Sequence, residues 1–72
     1  MSEADAIRNL GEKFRGRLAD MYLDVALDYI DHNESTLAFE FLCAYLIEHD
    51  IAITASELEE IKKFSEELVL VK

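Results

Sequence analysis

The chain has 72 residues, enough for one small domain, and a formal net charge of −9 at pH 7. Residues 18–60 hold eleven acidic residues and neither lysine nor arginine, a surface that repels nucleic acid and anionic membranes and attracts basic proteins. We find no secretory signal and no run close to the ~18 apolar residues that span a bilayer, so we expect a cytoplasmic protein that binds neither nucleic acid nor membrane.

The first two helices are predicted from capping residues and from the helical spacing of apolar residues. Ser2 can cap a first helix at about Glu3–Arg15, which Gly16 would stop. Gly11 inside this helix either weakens it by roughly 1 kcal/mol or lets a neighbouring helix approach closely. A second helix is expected at about Arg17–Asp31.

On a helical wheel, this second helix has an apolar side and an acidic side. The predicted core side holds Leu18, Met21, Tyr22, Val25 and Tyr29. The acidic side holds Asp20, Asp24 and Asp31, with Asp28 at its edge. This stripe is either an ordinary solvated face or a docking face for a cationic partner. Leu27 favours docking because it falls within ~20° of Asp20, with Leu23 nearby, and an apolar side chain ringed by carboxylates resembles an interface anchor.

The third predicted helix is the stretch NESTLAFEFLCAYLIEHD at residues 33–50, with Asn33 as its N-cap. Between Leu37 and Ile47 the only residue that is not apolar is Glu40, so this helix either lies among the others or keeps part of its surface for a partner. The expected core side is Ala38, Phe39, Leu42, Cys43 and Leu46. The expected wet side is marked by Glu34 and Glu48, which leaves Leu37, Phe41 and Ala44 at least partly in solvent, with Tyr45 at the edge.

Within this helix, four residues need an interpretation of their own: Glu40, Phe41, Cys43 and Tyr45. The rings of Phe41 and Tyr45 either pack against a neighbouring helix or anchor a partner. Glu40 either extends its carboxylate to water or pairs with Arg15 or Arg17. The single cysteine, Cys43, cannot form an internal disulfide, and we expect it to be a small buried hydrophobe.

A short extended link precedes the fourth helix, which begins at a capping box formed by Thr54 and Glu57, with Ile53 and Leu58 in the positions of a hydrophobic staple. The helix is expected to end near Leu68 and to bury Leu58, Ile61, Phe64, Ser65 and Leu68. An apolar tail, Val69–Val71, is expected to lie on the core. Four helices with short connections predict an all-α, small four-helix bundle, a single domain over residues 1–72.

The sequence offers no catalytic, metal or cofactor site. Both histidines lie at helix ends beside acids, and neither joins Cys43 or a serine in a known local signature. There is no glycine-rich phosphate loop and no spaced set of metal ligands. A phosphopantetheine-carrying serine is also not indicated, because Ser35 lies in Glu-Ser-Thr and Ser56 in Ala-Ser-Glu. We therefore predict that the protein is not an enzyme.

A family resemblance is carried by ALDYI at residues 26–30, LAFEFLCAYL at 37–46, DIAIT at 50–54 and the helix that follows. These stretches resemble the MafI-type immunity proteins, whose core reads roughly Leu-Ala-x-Glu-x-Leu-Cys-x-x-Leu before an acidic residue and an isoleucine-rich link. The resemblance covers about two thirds of the chain. Phe41, Ala44 and Tyr45 depart from it, since the family is often more polar there.

The resemblance implies a bacterial protein that protects its cell by binding a polymorphic toxin used in contact-dependent growth inhibition. Several such toxins are nucleases, including EndoU-type RNases, and nucleases are commonly basic, which an acidic inhibitor would match. The predicted partner-binding residues are Asp20, Leu23, Asp24, Leu27, Asp28, Asp31, Glu34, Phe41, Tyr45 and Glu48. The alternative is a helical adaptor that binds another protein or a second copy of itself, without a toxin.

Overall fold

Four α-helices form the protein, and the computed structural model describes residues 2–68, with side chains for residues 2–66. The helices are α1 (Glu3–Glu12), α2 (Asp20–Asp31), α3 (Ser35–Glu48) and α4 (Ala55–Leu68). The radius of gyration of 11.2 Å agrees with the roughly 11 Å expected of a compact chain of this length. The predicted all-α four-helix bundle is confirmed. The predicted tail at Val69–Val71 lies outside the described residues.

The hydrophobic core is built by α1, α2, α3 and the turn between the first two helices. Its buried apolar residues are Ile7, Leu10, Phe14, Leu18, Leu23, Ala26, Leu27, Ala38, Phe39, Leu42 and Leu46. Among the side chains that the structure describes, none of these comes from α4. The fourth helix therefore covers a core that the first three helices already form.

The turn between α1 and α2 is longer than predicted. α1 ends at Glu12 instead of Arg15, and α2 begins at Asp20 instead of Arg17. Gly16 adopts a φ of +96°, a backbone conformation that only glycine takes without strain. The chain leaves the helix here so that Phe14 and Leu18, the latter donating its N–H to the Phe14 carbonyl at 2.9 Å, both enter the core.

Gly11 lets the side chains of α2 approach the backbone of α1 closely. A Cβ atom at this position would lie 2.9 Å from Leu27 Cδ2 and 3.4 Å from Leu23 Cδ1. The second of the two predicted readings, a close approach by a neighbouring helix, is therefore the right one.

The predicted orientation of α2 is right for Tyr22 and Tyr29, which pack against the core, and wrong for Met21 and Val25. The structure buries Leu23, Ala26 and Leu27, while Met21 is 65% exposed and Val25 is also exposed. The apolar arc of α2 is broad, and packing against Gly11 and α3 selects the edge of it that contains both leucines.

Two non-glycine residues end α2 and α3 in the left-handed conformation. Asn33 has a φ of 61° and Asp50 a φ of 53°. The N–H of the residue after each one reaches back to the third-last residue of its helix, Glu34 N to Tyr29 O at 2.9 Å and Ile51 N to Leu46 O at 3.0 Å. This is the Schellman arrangement, usually made with glycine. The prediction that Asn33 caps α3 is therefore wrong, because it terminates α2.

Replacing Asp50 with glycine is expected to stabilise the protein by about 0.5–1 kcal/mol. Glycine adopts a positive φ without strain, and the change also removes a negative charge from the C-terminal end of α3, where the helix dipole disfavours it. The matched variant Asp50→Asn removes the charge but keeps the Cβ, so it should recover only part of the gain. Urea denaturation measures both, and an Asp50→Gly protein no more stable than the parent would contradict the argument.

The predicted core side of α3 is confirmed, with Cys43 half-buried at its edge. The capping box of α4 is also confirmed: Glu57 N donates to Thr54 Oγ1 at 3.1 Å, and Thr54 N donates to Glu57 Oε1 at 2.9 Å. The buried position of the first α4 turn, however, belongs to Glu57, and Leu58 is exposed, contrary to prediction. Ile61, Phe64 and Ser65 are half-buried, and the side chain of Leu68 is outside the described set.

Arg17 explains why a glutamate takes that buried position. Its guanidinium donates two parallel bonds to Glu57, Nη1 to Oε1 at 3.0 Å and Nη2 to Oε2 at 2.7 Å. The same group also bonds the carbonyl oxygens of Lys13 and Ala52 and lies 4.6 Å from the ring centroid of Phe14. Arg17 thus ties the start of α4 to the α1–α2 turn.

Candidate partner-binding surface

The acidic stripe of α2 is partly neutralised from within the molecule. Arg15 reaches back to Glu12 Oε1 at 2.7 Å and forward to Asp20 and Asp24, each at 3.1 Å. Arg8 on α1 pairs with Asp31 at 2.7 Å. The three aspartate side chains stay between 64% and 69% exposed, so these pairs add little stability but lower the local negative potential.

Asp28 has a different neighbour, His32, which ends α2. The His32 Nδ1 atom lies 3.0 Å from the Asp28 carbonyl oxygen and 3.5 Å from its carboxylate. These two contacts, the backbone hydrogen bond first, raise the pKa of His32 above its usual value. Asp28 and His32 border a shallow depression together with Val25, Tyr29 and Glu34.

Leu23 and Leu27, predicted to be exposed anchors, are buried in the core against Gly11. The apolar side chains that stand among the α2 carboxylates are Met21 and Val25. The sequence analysis does not predict Met21 and Val25 as surface residues because it assigns them to the core side of α2. No local signal in α2 shows which edge of its broad apolar arc faces the core.

A row of aromatic rings runs along the junction of α2 and α3. This aromatic seam consists of Tyr22, Tyr29, Phe41, Tyr45 and His49. Tyr29 and Phe41 stack in parallel planes with ring centroids 4.9 Å apart, and Tyr22 lies 5.1 Å from Tyr45. Phe41 and Tyr45 therefore do pack against α2, and each still keeps part of its ring in solvent.

The carboxylates of α3 lack the internal partners that those of α2 have. Glu34, Glu40 and Glu48 are exposed, and no lysine or arginine of residues 2–66 pairs with any of them. Glu40 in particular pairs with neither Arg15 nor Arg17, both of which bind other acids. The exposure predicted for Glu34, Glu48 and Leu37 is confirmed.

Cys43 is not a reactive thiol in this setting. Burial raises its pKa to about 11, and the nearby charge of Glu40 adds to that effect. The side chain is therefore protonated at neutral pH and behaves as a small apolar group.

The described residues also bear on metal binding and on membrane insertion. Within residues 2–68, no three of the His, Cys, Asp and Glu side chains come together as a possible metal site. Over the same residues, the helices are all too short or too polar to cross a bilayer. What the surface offers is a set of exposed carboxylates beside half-buried rings, which suits binding by another protein.

Comparison with known proteins found no match: neither a protein family, nor a curated protein, nor a solved structure is significantly similar to the chain.

Proposed function

We propose that the protein is an immunity protein that binds a basic bacterial toxin domain and covers its active or substrate-binding site. The observation that carries the proposal is the aromatic seam, bordered by exposed carboxylates of α2 and α3. Tyrosine and phenylalanine are enriched at the centres of protein interfaces, where rims are polar. The resemblance of ALDYI at residues 26–30, LAFEFLCAYL at 37–46 and DIAIT at 50–54 to MafI-type immunity proteins is what suggests this class of binding protein.

A nuclease, with an EndoU-type RNase favoured, is the toxin class that fits the charge. A nuclease must hold RNA phosphates in a cationic site, and carboxylates placed there would compete with the phosphates and accelerate association. Asp28 and Glu48 are suited to this because no lysine or arginine of residues 2–66 pairs with them. Asp20, Asp24 and Asp31 would have to exchange Arg15 and Arg8 for cations of the toxin.

A complex of ordinary size would occupy a substantial part of this small protein's surface. A stable complex buries roughly 800 Å² on each partner, which is about a sixth of the 4618 Å² surface of this protein. Met21, Val25 and Leu37 would supply apolar contacts around the seam, because all three are exposed. Since an RNase acts on cytoplasmic RNA, an inhibitor of this kind works in the cytoplasm of the producing bacterium.

The direct test looks for a toxin gene beside the gene of this protein and uses the toxin domain that it encodes. The purified protein should bind it and abolish its RNase activity at an equimolar ratio. Reversing two charges together, Asp24→Lys with Asp28→Lys, should weaken binding by about tenfold or more at low salt and flatten the salt dependence. The matched control is Glu59→Lys with Glu66→Lys on α4, which changes the net charge equally and should leave affinity nearly unchanged. Unchanged affinity and salt dependence in the α2 variant would contradict the electrostatic part of the proposal.

A helical adaptor that self-associates through the same seam is the competing function. Exposed Met21 and Leu37 favour it, because they would be covered equally well by a second copy. Sedimentation of the isolated protein separates the two. A tight homodimer that dissociates on replacing Phe41 or Tyr45 would favour the adaptor over the inhibitor.

A further inference from the structure

On the other side of α3 from the aromatic seam, an apolar cleft opens between α3 and α4. It has a volume of about 140 Å³ and is lined by Cys43, Leu46, Ile47, Ile53, Leu58 and Ile61. Ile47 is 79% exposed, and Ile53 and Leu58 are exposed as well. Isolated exposed apolar residues are ordinary, but a contiguous apolar lining around an open cleft is typical of a binding groove.

Two acidic residues, Glu40 and Asp50, flank the α3 lining residues of the cleft in the sequence. Glu40 lies seven residues before Ile47, which places it two turns back on the same stripe of α3. It is near enough to Cys43 for its charge to act on the thiol. Asp50 follows the end of α3, and its N–H donates to the Ile47 carbonyl at 3.2 Å. Within residues 2–66, no lysine or arginine pairs with either carboxylate, in contrast to Asp20 and Asp24.

The size of the cleft and the spacing of these charges define what can occupy it. A cavity of ~150 Å³ is large enough for a benzene molecule, so this cleft accepts one leucine- or phenylalanine-sized side chain. Glu40 lies seven residues before Ile47, about 10 Å along the helix, and Asp50 lies three residues after Ile47, just beyond the end of α3 at Glu48. An α-helix that carries basic residues about seven positions to one side and about three or four to the other side of a central apolar residue keeps all three on one face and matches both features.

We propose that the α3–α4 cleft is a docking site for a cationic amphipathic helix of a partner protein. One apolar side chain of that helix enters the cleft beside Ile47, and lysine or arginine on either side pairs with Glu40 and Asp50. This mode of recognition, an amphipathic helix in an apolar groove, is common in proteins. The site uses a different edge of α3 from the seam and does not depend on the partner being a toxin.

The first experiment uses a synthetic 15-residue peptide of leucine and lysine with helical spacing, and a scrambled peptide of the same composition. Fluorescence anisotropy should give an affinity for the helical peptide that is at least about tenfold higher than for the scrambled one. Amide shifts of the ¹⁵N-labelled full chain should be largest around Cys43, Ile47 and Leu58. Largest shifts along Asp20–Asp31, or equal binding of both peptides, would overturn the proposal.

Variants then distinguish peptide binding at the cleft from a general attraction of the cationic peptide to an acidic protein. Ile47→Ser should weaken peptide binding by about tenfold, whereas Met21→Ser, at another largely exposed apolar residue, on α2, should not. Leu58→Ser gives a second variant in the cleft. The double variant Glu40→Gln with Asp50→Asn should weaken binding more than Asp20→Asn with Asp24→Asn, which changes the net charge by the same amount. Equal losses from the two double variants would overturn the assignment.

The same variants and peptides test two other possible occupants of the cleft. If the protein sediments as a dimer that Ile47→Ser dissociates, the cleft binds a second copy and the proposal is overturned. If the full chain does not bind the peptide but a variant ending at Leu68 does, the cleft belongs to the chain's own C-terminal residues, which equally overturns it. A monomer that binds the helical peptide at the cleft supports the proposal.

Discussion

Replacing Leu27 with alanine is expected to destabilise the protein by about 3 kcal/mol. The side chain is only 4% exposed and lies against Gly11, so its removal leaves a cavity at the contact of α1 and α2. Met21→Ala on the same helix should change the free energy of unfolding by less than about 0.5 kcal/mol, because that side chain is largely in solvent. Urea denaturation of the two variants measures the difference directly.

These two variants test which edge of the apolar arc of α2 faces the core. A loss of stability for Met21→Ala comparable with that for Leu27→Ala would mean that α2 is turned the other way, as the sequence suggested. In that case Leu27 would be available to a partner, and Met21 and Val25 would not. The result therefore decides which apolar residues belong to the proposed interface.

Replacing Glu57 with glutamine is expected to cost about 2 kcal/mol at neutral pH. The paired guanidinium of Arg17 and the Thr54 N–H lower the pKa of Glu57 from 4.5 to about 2. Taken alone, such a shift corresponds to roughly 3 kcal/mol, and the partial exposure of Arg17 reduces it. Glutamine can still serve as the acceptor of the capping box, so the variant removes mainly the charge. Glu66→Gln, on the exposed side of α4, is the matched control and should be nearly neutral.

The pH dependence of this variant identifies the cause. Because the folded-state pKa of Glu57 is lowered, its contribution is complete above the unfolded-state value near 4.5 and is lost as the pH falls toward 2. The difference in stability between parent and Glu57→Gln should therefore be constant from pH 7 to about 5 and shrink below that. A difference that persists unchanged to pH 3 would assign the effect to packing instead of charge.

The features that the sequence predicted correctly are those fixed by neighbouring residues. The capping box of Thr54 and Glu57 involves groups three positions apart, so its pattern is legible without knowledge of the fold. The predicted solvent-exposed side of α3 is also confirmed, because Glu34 and Glu48 leave only one reasonable orientation of this helix. Local chemistry was ambiguous at Asn33, since asparagine serves both at the start of a helix and in the left-handed position after one.

The features that the sequence could not supply depend on contacts between distant residues. The apolar arc of α2 is broad, and the edge of it that faces the core is decided by packing against Gly11 of another helix. The pairing of Arg15 with Asp20 and Asp24 depends on the irregular turn between α1 and α2, whose length was underestimated. The burial of Glu57 depends on Arg17, forty positions away in the chain. The proposed surface therefore stays on the predicted helices, but Leu23 and Leu27 are replaced in it by the exposed residues Met21 and Val25.

α4 contributes only Glu57 to the buried residues among those described, so the four helices differ in local stability. Residues 3–48 supply all the buried apolar residues among those described, so we expect α4 to separate from them at a smaller free-energy cost than global unfolding requires. Amide hydrogens of α4 then exchange with solvent ahead of those in α3. The part of the chain that unfolds cooperatively is accordingly smaller than the whole chain. A ligand bound between α3 and α4 would hold α4 in place, so that α4 would unfold together with the other three helices.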